Sequence, residues 1–98
     1  MRLHRVIWKE SFLDKIEGKH KVLDSEVQEV LFSSPHIRRA ERGRVKGEDL
    51  YFAYGQTEAG RYLIVVFIYK GEGSALPISA RDMTSAERRY YNDQTEAN

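Results

Sequence analysis

Arg61-Tyr62-Leu63-Ile64-Val65-Val66-Phe67-Ile68-Tyr69 is the one long apolar run in the chain, and β-branched and aromatic residues dominate it. Its two alternating sets, Leu63/Val65/Phe67 and Ile64/Val66/Ile68, are both apolar. Successive side chains of a strand point to opposite faces, so the pattern predicts a central strand covered on both sides. Gly55 to Gly60 predicts a turn into it, and Lys70-Gly71-Glu72-Gly73 a turn out. Two flanking strands, Leu50–Gln56 and Ala75–Ala80, are expected beside it, all antiparallel. Arg61 and Arg81 then stand at strand ends, and both are expected to project onto one surface.

Outward from this centre the chain alternates short elements. Leu3 to Trp8 predicts an opening strand. Ser11 is a candidate cap for a helix carrying Phe12, Leu13 and Ile16, ended by Gly18 and Lys19-His20-Lys21. Ser25-Glu26-Val27-Gln28 has the form of a capping box for a second helix with Val27, Val30 and Leu31 inside, stopped by Pro35. Ile37 to Arg42 predicts a strand with one wet, basic face, and Gly43 to Asp49 a polar loop. Thr84-Ser85-Ala86-Glu87 is a further capping box, opening a helix through Tyr91, and the chain from about residue 93 is expected to be disordered. The predicted architecture is α+β: an antiparallel sheet with two N-terminal helices and one C-terminal helix packed on one side of it.

At 98 residues the chain is expected to be a single domain. The 16 Lys and Arg against 15 Asp and Glu leave a net charge of +1, which argues for no class of partner by itself. Without cysteine there is no disulfide frame, thiolate nucleophile or cysteine zinc site. No apolar run approaches the roughly 18 residues of a membrane helix, and the N-terminus lacks a signal-peptide core, so a cytoplasmic protein with no membrane partner is expected. Three dispersed histidines lack metal-ligand spacing, and no metal or cofactor is expected.

Three groups of residues resemble the BrnT family of toxins from bacterial type II toxin–antitoxin pairs. They are Lys19-His20-Lys21-Val22 with Glu26-Val27; Gly55-Gln56-Thr57 with Gly60-Arg61; and Ile78-Ser79-Ala80-Arg81-Asp82-Met83-Thr84 with Glu87-Arg88-Arg89-Tyr90. The last group is the most specific. Lys21 stands where the family usually has glycine. The resemblance implies a RelE-like fold, a ribonuclease that inhibits translation, and a BrnA-type antitoxin partner that carries DNA binding for the pair.

Metal-independent RNA cleavage needs a base for the 2′-hydroxyl, cations for the phosphorane charge and an acid for the departing 5′-oxygen. Arg61 and Arg81 are the candidates for the charge, because a guanidinium stays protonated and can hold two phosphate oxygens. The plain alternative is a solvated arginine, or one paired with Glu58 or Asp82. His20, inside a matched motif, is a candidate acid or base; otherwise it is a cation favouring a helix C-terminus. Glu87 is a candidate base already engaged as a cap. Tyr90 can stack on a base or give a proton. Lys19, Arg38, Arg39, Arg42, Arg88 and Arg89 are candidate RNA contacts, in a basic group extended by Arg44 and Lys46 that would otherwise be a solvated face or an antitoxin surface. His4 and His36 are read as surface residues. The competing functional class is a non-catalytic RNA- or protein-binding module acting with a DNA-binding partner in transcriptional regulation.

If Tyr62–Tyr69 is the dry centre, Val65→Asp buries an unpaired carboxylate at a cost of several kcal/mol, against a total stability of about 5–15 kcal/mol. The variant is expected to give an unfolded circular dichroism spectrum at 25 °C. A cooperative melt near that of the parent protein would contradict the central placement.

Overall fold

The computed structural model describes residues 1–41 and 48–96. The chain runs β1 (Arg5–Val6), α1 (Glu10–His20), α2 (Asp24–Phe32), β2 (His36–Glu41), β3 (Leu50–Gln56), β4 (Tyr62–Tyr69), β5 (Ser74–Asp82) and α3 (Ser85–Glu96). The sheet order is β1-β5-β4-β3-β2, with the long apolar run in the middle. The strands β3 and β5 flank β4 and both are antiparallel to it. Leu63, Val65 and Phe67 are fully buried on one face and Ile64 is 1% exposed on the other.

That double burial corrects the expectation that all helices share one side. The helices α1 and α2 cover the face carrying Ala53, Leu63, Val65, Phe67 and Ala80, contributing Ile16, Val27, Val30 and Leu31. The opposite face, with Phe52, Tyr54, Tyr62, Ile64 and Val66, is met by Tyr90 and Tyr91 of α3. A strand apolar on both sides needs cover on both sides, and a single helical layer cannot supply it. Close approach of α2 to β3 depends on Gly55, since a Cβ there would lie 2.8 Å from Val30 Cγ1.

The sheet is mixed rather than purely antiparallel. The chain leaves β1 at one edge, crosses the sheet through α1 and α2, and re-enters at the far edge as β2. The hairpins then step back until β5 lies beside β1, running parallel to it through Arg5↔Ser74 and Val6↔Ala75. The opening strand is two residues long, not six; Leu3 is buried and Trp8 packs against the core from outside the ladder.

Caps differ from those expected at two helices. The first helix begins after Lys9, with Ser11 inside its first turn. The second begins after Leu23, whose N–H donates to Glu26 Oε1 at 3.0 Å, so Glu26 rather than Gln28 supplies the reciprocal bond and Ser25 lies within the helix. The box at α3 is as read: Glu87 N–H donates to Thr84 Oγ1 at 3.2 Å, and Thr84 N–H to Glu87 Oε1 at 2.8 Å. That helix continues to Glu96, past the point where disorder is expected.

Lys21 ends α1 in the left-handed conformation, φ 56° and ψ 39°. This geometry suits glycine and strains a side chain bearing a Cβ. Lys21→Gly is therefore expected to stabilise the fold by about 0.5–1 kcal/mol. A urea melt reads this as a raised midpoint at constant slope; an unchanged or lowered midpoint would mean the turn carries no such strain.

Candidate functional site

Strand alternation sends consecutive residues of β5 to opposite faces. Arg81 lies opposite Ile64 and Asp82 opposite Leu63, so each faces a different layer. On the α1–α2 side, Asp82 receives Arg61 in a two-pronged contact, Nε to Oδ1 at 2.7 Å and Nη2 to Oδ2 at 3.1 Å. Arg61 Nη1 also donates to Lys21 O at 2.9 Å and to Glu26 Oε1 at 3.0 Å. The hydrogen bond holds the Asp82 carboxyl below its ordinary pKa and the Arg61 guanidinium above its own. Arg61 thus fastens the end of β5, the α1–α2 turn and the start of α2 to one another.

On the other face Arg81 pairs with Glu87 of α3 through two parallel bonds, Nη1 to Oε1 at 2.7 Å and Nη2 to Oε2 at 2.8 Å. Its Nη1 also donates to Asp82 O at 3.1 Å. Because Glu87 is the cap residue of α3, one carboxylate joins the helix start to the sheet. The Arg81 hydrogen bond, followed by the backbone bond from Thr84, lowers the Glu87 pKa to about 2 despite partial burial. Glu87 is therefore a carboxylate at any physiological pH and a poor proton acceptor.

Beyond this pair α3 lies over aromatic residues from β2 and β3. Nε2 of His36 and the Tyr90 hydroxyl are 2.9 Å apart. The Tyr54 ring sits 5.9 Å from His36 and 5.2 Å from Tyr90, and burial raises its phenol pKa. Phe52 meets Tyr54 edge-on at 6.2 Å. The Arg38 guanidinium stands 6.0 Å from the Phe52 ring centre and 5.8 Å from that of Tyr90. Arg38, Phe52, Tyr54, Arg81, Ala86, Glu87 and Tyr90 line a cleft of about 380 Å³. It offers cations at two places and partly exposed aromatic surface, and the Tyr90 in its wall is hydrogen-bonded to His36 behind it: groups suited to phosphate binding, stacking and proton transfer.

Of the residues singled out from the sequence, Arg81, Glu87, Tyr90 and Arg38 meet in this cleft. Arg61 does not: it faces the other layer, and both arginines already have carboxylate partners. His20 is the half-buried last residue of α1, beside exposed Lys19, and neither lines the cleft. Arg39 points away from Arg38 along the strand and pairs with Asp49. Arg88 lies 4.2 Å over the Tyr62 ring, and Arg89 is exposed. Arg42, Arg44 and Lys46 fall outside the described residues. The sequence reading missed His36, Tyr54 and Phe52. Their one signal was parity, since His36 and Arg38 share a strand face, as do Phe52 and Tyr54. Among the described residues no three His, Asp or Glu side chains gather closely enough to hold a metal ion.

The sequence model of a family described as the ribonuclease toxin BrnT of type II toxin–antitoxin systems matches residues 8–87. The crystal structure of the Brucella abortus ribonuclease toxin BrnT shares the fold, with a TM-score of 0.60 at 18% identity, covering 83% of this chain and 97% of that one. No match is found among the curated proteins.

The depressed carboxylates set a pH dependence. A folded pKa below the unfolded value gives stability that is complete above the unfolded pKa and is lost as pH falls through the folded one. For Glu87 that window runs from its ordinary 4.5 down to about 2. Glu87→Gln is expected to lose about 1–2 kcal/mol near neutrality, allowing for solvent screening, and to converge with the parent near pH 2. Urea midpoints measured across that range check this; a constant gap between the two proteins would show that the charge of Glu87 is not what stabilises the α3 junction.

Proposed function

Because the chain belongs to the BrnT family, the ribonuclease toxins of type II toxin–antitoxin systems, we propose that the cleft under α3 is where it cleaves RNA, without a metal ion. The observation that carries this is the cleft that holds Arg81 and Tyr90 together, with His36 hydrogen-bonded to the Tyr90 hydroxyl. The couple takes the proton from a ribose 2′-hydroxyl, whose oxygen attacks the adjacent phosphorus. The bond from phosphorus to the 5′-oxygen then breaks, leaving a 2′,3′-cyclic phosphate, and the 5′-oxygen receives a proton returned from the couple.

The phosphorane charge falls to Arg81. Three of its five N–H donors are engaged by Glu87 and Asp82 O, which leaves the Nε–H and one Nη2–H along a second edge of the same plane. Those two can hold two phosphate oxygens while Glu87 keeps the fork in place. Glu87 is thus an orienting residue rather than the base. Tyr54, kept protonated by burial, adds a donor at the cleft floor. Arg61, with its three partners on the other face, serves the scaffold.

As a member of a type II system the chain implies an antitoxin partner. We take that partner to be of the BrnA type, the fold to be a RelE-like variant, and the outcome of cleavage to be arrested translation in the cytoplasm. No helix is long and apolar enough to cross a membrane among the described residues.

Single-turnover cleavage of a defined RNA by folded variants tests the site. Arg81→Gln is expected to fall by about 10²-fold or more, the cost of losing one charge-binding donor in the transition state. His36→Gln is expected to fall by about 10²–10⁴-fold, the usual worth of general acid–base catalysis. His20→Ala should retain most of the rate. Wild-type cleavage by Arg81→Gln and His36→Gln would move the chemistry out of this cleft.

A further inference from the structure

The outer half of the cleft has a feature that phosphate chemistry does not require. Arg38 and Phe52 are direct cross-strand partners on the face beneath α3. Their neighbours differ: Arg39, one residue on and facing the other way, is paired with Asp49, whereas no carboxylate among the described residues pairs with Arg38. The Arg38 guanidinium instead stands between two rings, 6.0 Å from Phe52 and 5.8 Å from Tyr90. Phe52 is only partly buried, and its edge-on packing against Tyr54, at 87°, fixes its orientation at the cleft wall.

A partly exposed phenylalanine beside a guanidinium with no carboxylate partner among the described residues is what a flat, electron-rich group needs. Aromatic and guanidinium planes both stack on nucleobases, whatever the base, because each base has a π face. A solvated arginine merely covering apolar surface would also pack on rings. It would not account for a recess of about 380 Å³ that joins this wall to the Arg81 fork.

We propose that Phe52 and Arg38 form a subsite for one unpaired nucleobase flanking the cleaved phosphate, which makes the substrate single-stranded RNA. The inference rests on the cleft being the place of cleavage. With the phosphate at the free edge of Arg81, the base next to it turns out of the strand and stacks on the Phe52 face, under Arg38. A base held inside a duplex cannot make that turn, so paired RNA is refused.

The test uses the full chain and one single-stranded oligoribonucleotide with a single cleavage site. Its companions carry an abasic ribose at each position flanking that site, and a further sample is annealed to its complement. In the wild type, one of the two abasic positions is expected to slow single-turnover cleavage by about 10- to 100-fold, the usual range for a lost base stack, and the duplex to be cut at least as slowly. In Phe52→Leu the abasic penalty should shrink to about threefold or less, and Phe52→Tyr should restore it. Near-ultraviolet circular dichroism verifies that both variants are folded. Equal cleavage of intact, abasic and duplex RNA by the wild type overturns the subsite while leaving the nuclease reading in place, as does a full abasic penalty in Phe52→Leu. A wild type that cuts none of these RNAs overturns the nuclease reading, and the subsite with it.

Discussion

A strand apolar on both sides cannot be stable at the surface of a two-layer domain, and β4 imposes that constraint on everything around it. Its core residues on both faces are removed from water, so helices must arrive from both sides. The helices α1 and α2 meet the need on one face with a continuous apolar stripe. On the other, α3 buries no residue completely and works through Tyr90 and Tyr91 at its edge. One layer is a core in the ordinary sense; the other is a lid over part of a sheet.

The two layers are fastened by neighbouring residues at the end of β5. Asp82 takes Arg61 on the side of α1 and α2, and Arg81 takes Glu87 on the side of α3. Isolated surface ion pairs contribute about 0–1 kcal/mol. These differ in being two-pronged and shared: Glu26 and Glu87 each serve as a helix cap and as an arginine partner. Losing either carboxylate therefore removes a cap as well as a charge, and the effect is larger than that of a lone pair.

Incomplete cover by α3 is what leaves the cleft open. A helix that buried its full length against β2, β3 and β4 would fill the recess now lined by Phe52, Tyr54 and Arg81. Because the helix start is held at Arg81, its next turns carry Tyr90 to His36, and Arg38 remains at the open rim. Stability and site geometry thus depend on the same junction, so the Arg81–Glu87 contact matters to both.

Local pattern made several features legible in the chain itself. The alternation in Leu63–Ile68 specified a central strand, the glycine-rich turns specified hairpins on either side, and Thr84 with Glu87 specified the start of α3. Each is encoded within a few residues by burial period, turn chemistry or capping. Parity was also present in the sequence, and it separates Arg61, on the Leu63 side, from Arg81; it became usable only with the register that sets Ile64 opposite Arg81. What the tertiary structure alone decided was which faces the helices take and which distant residues they bring together. His36 and Tyr90 are 54 positions apart. Their meeting requires a chain that crosses the sheet before β2 and a helix that returns over the opposite face. No periodicity records that path, because burial patterns say that a face is covered and are silent about what covers it.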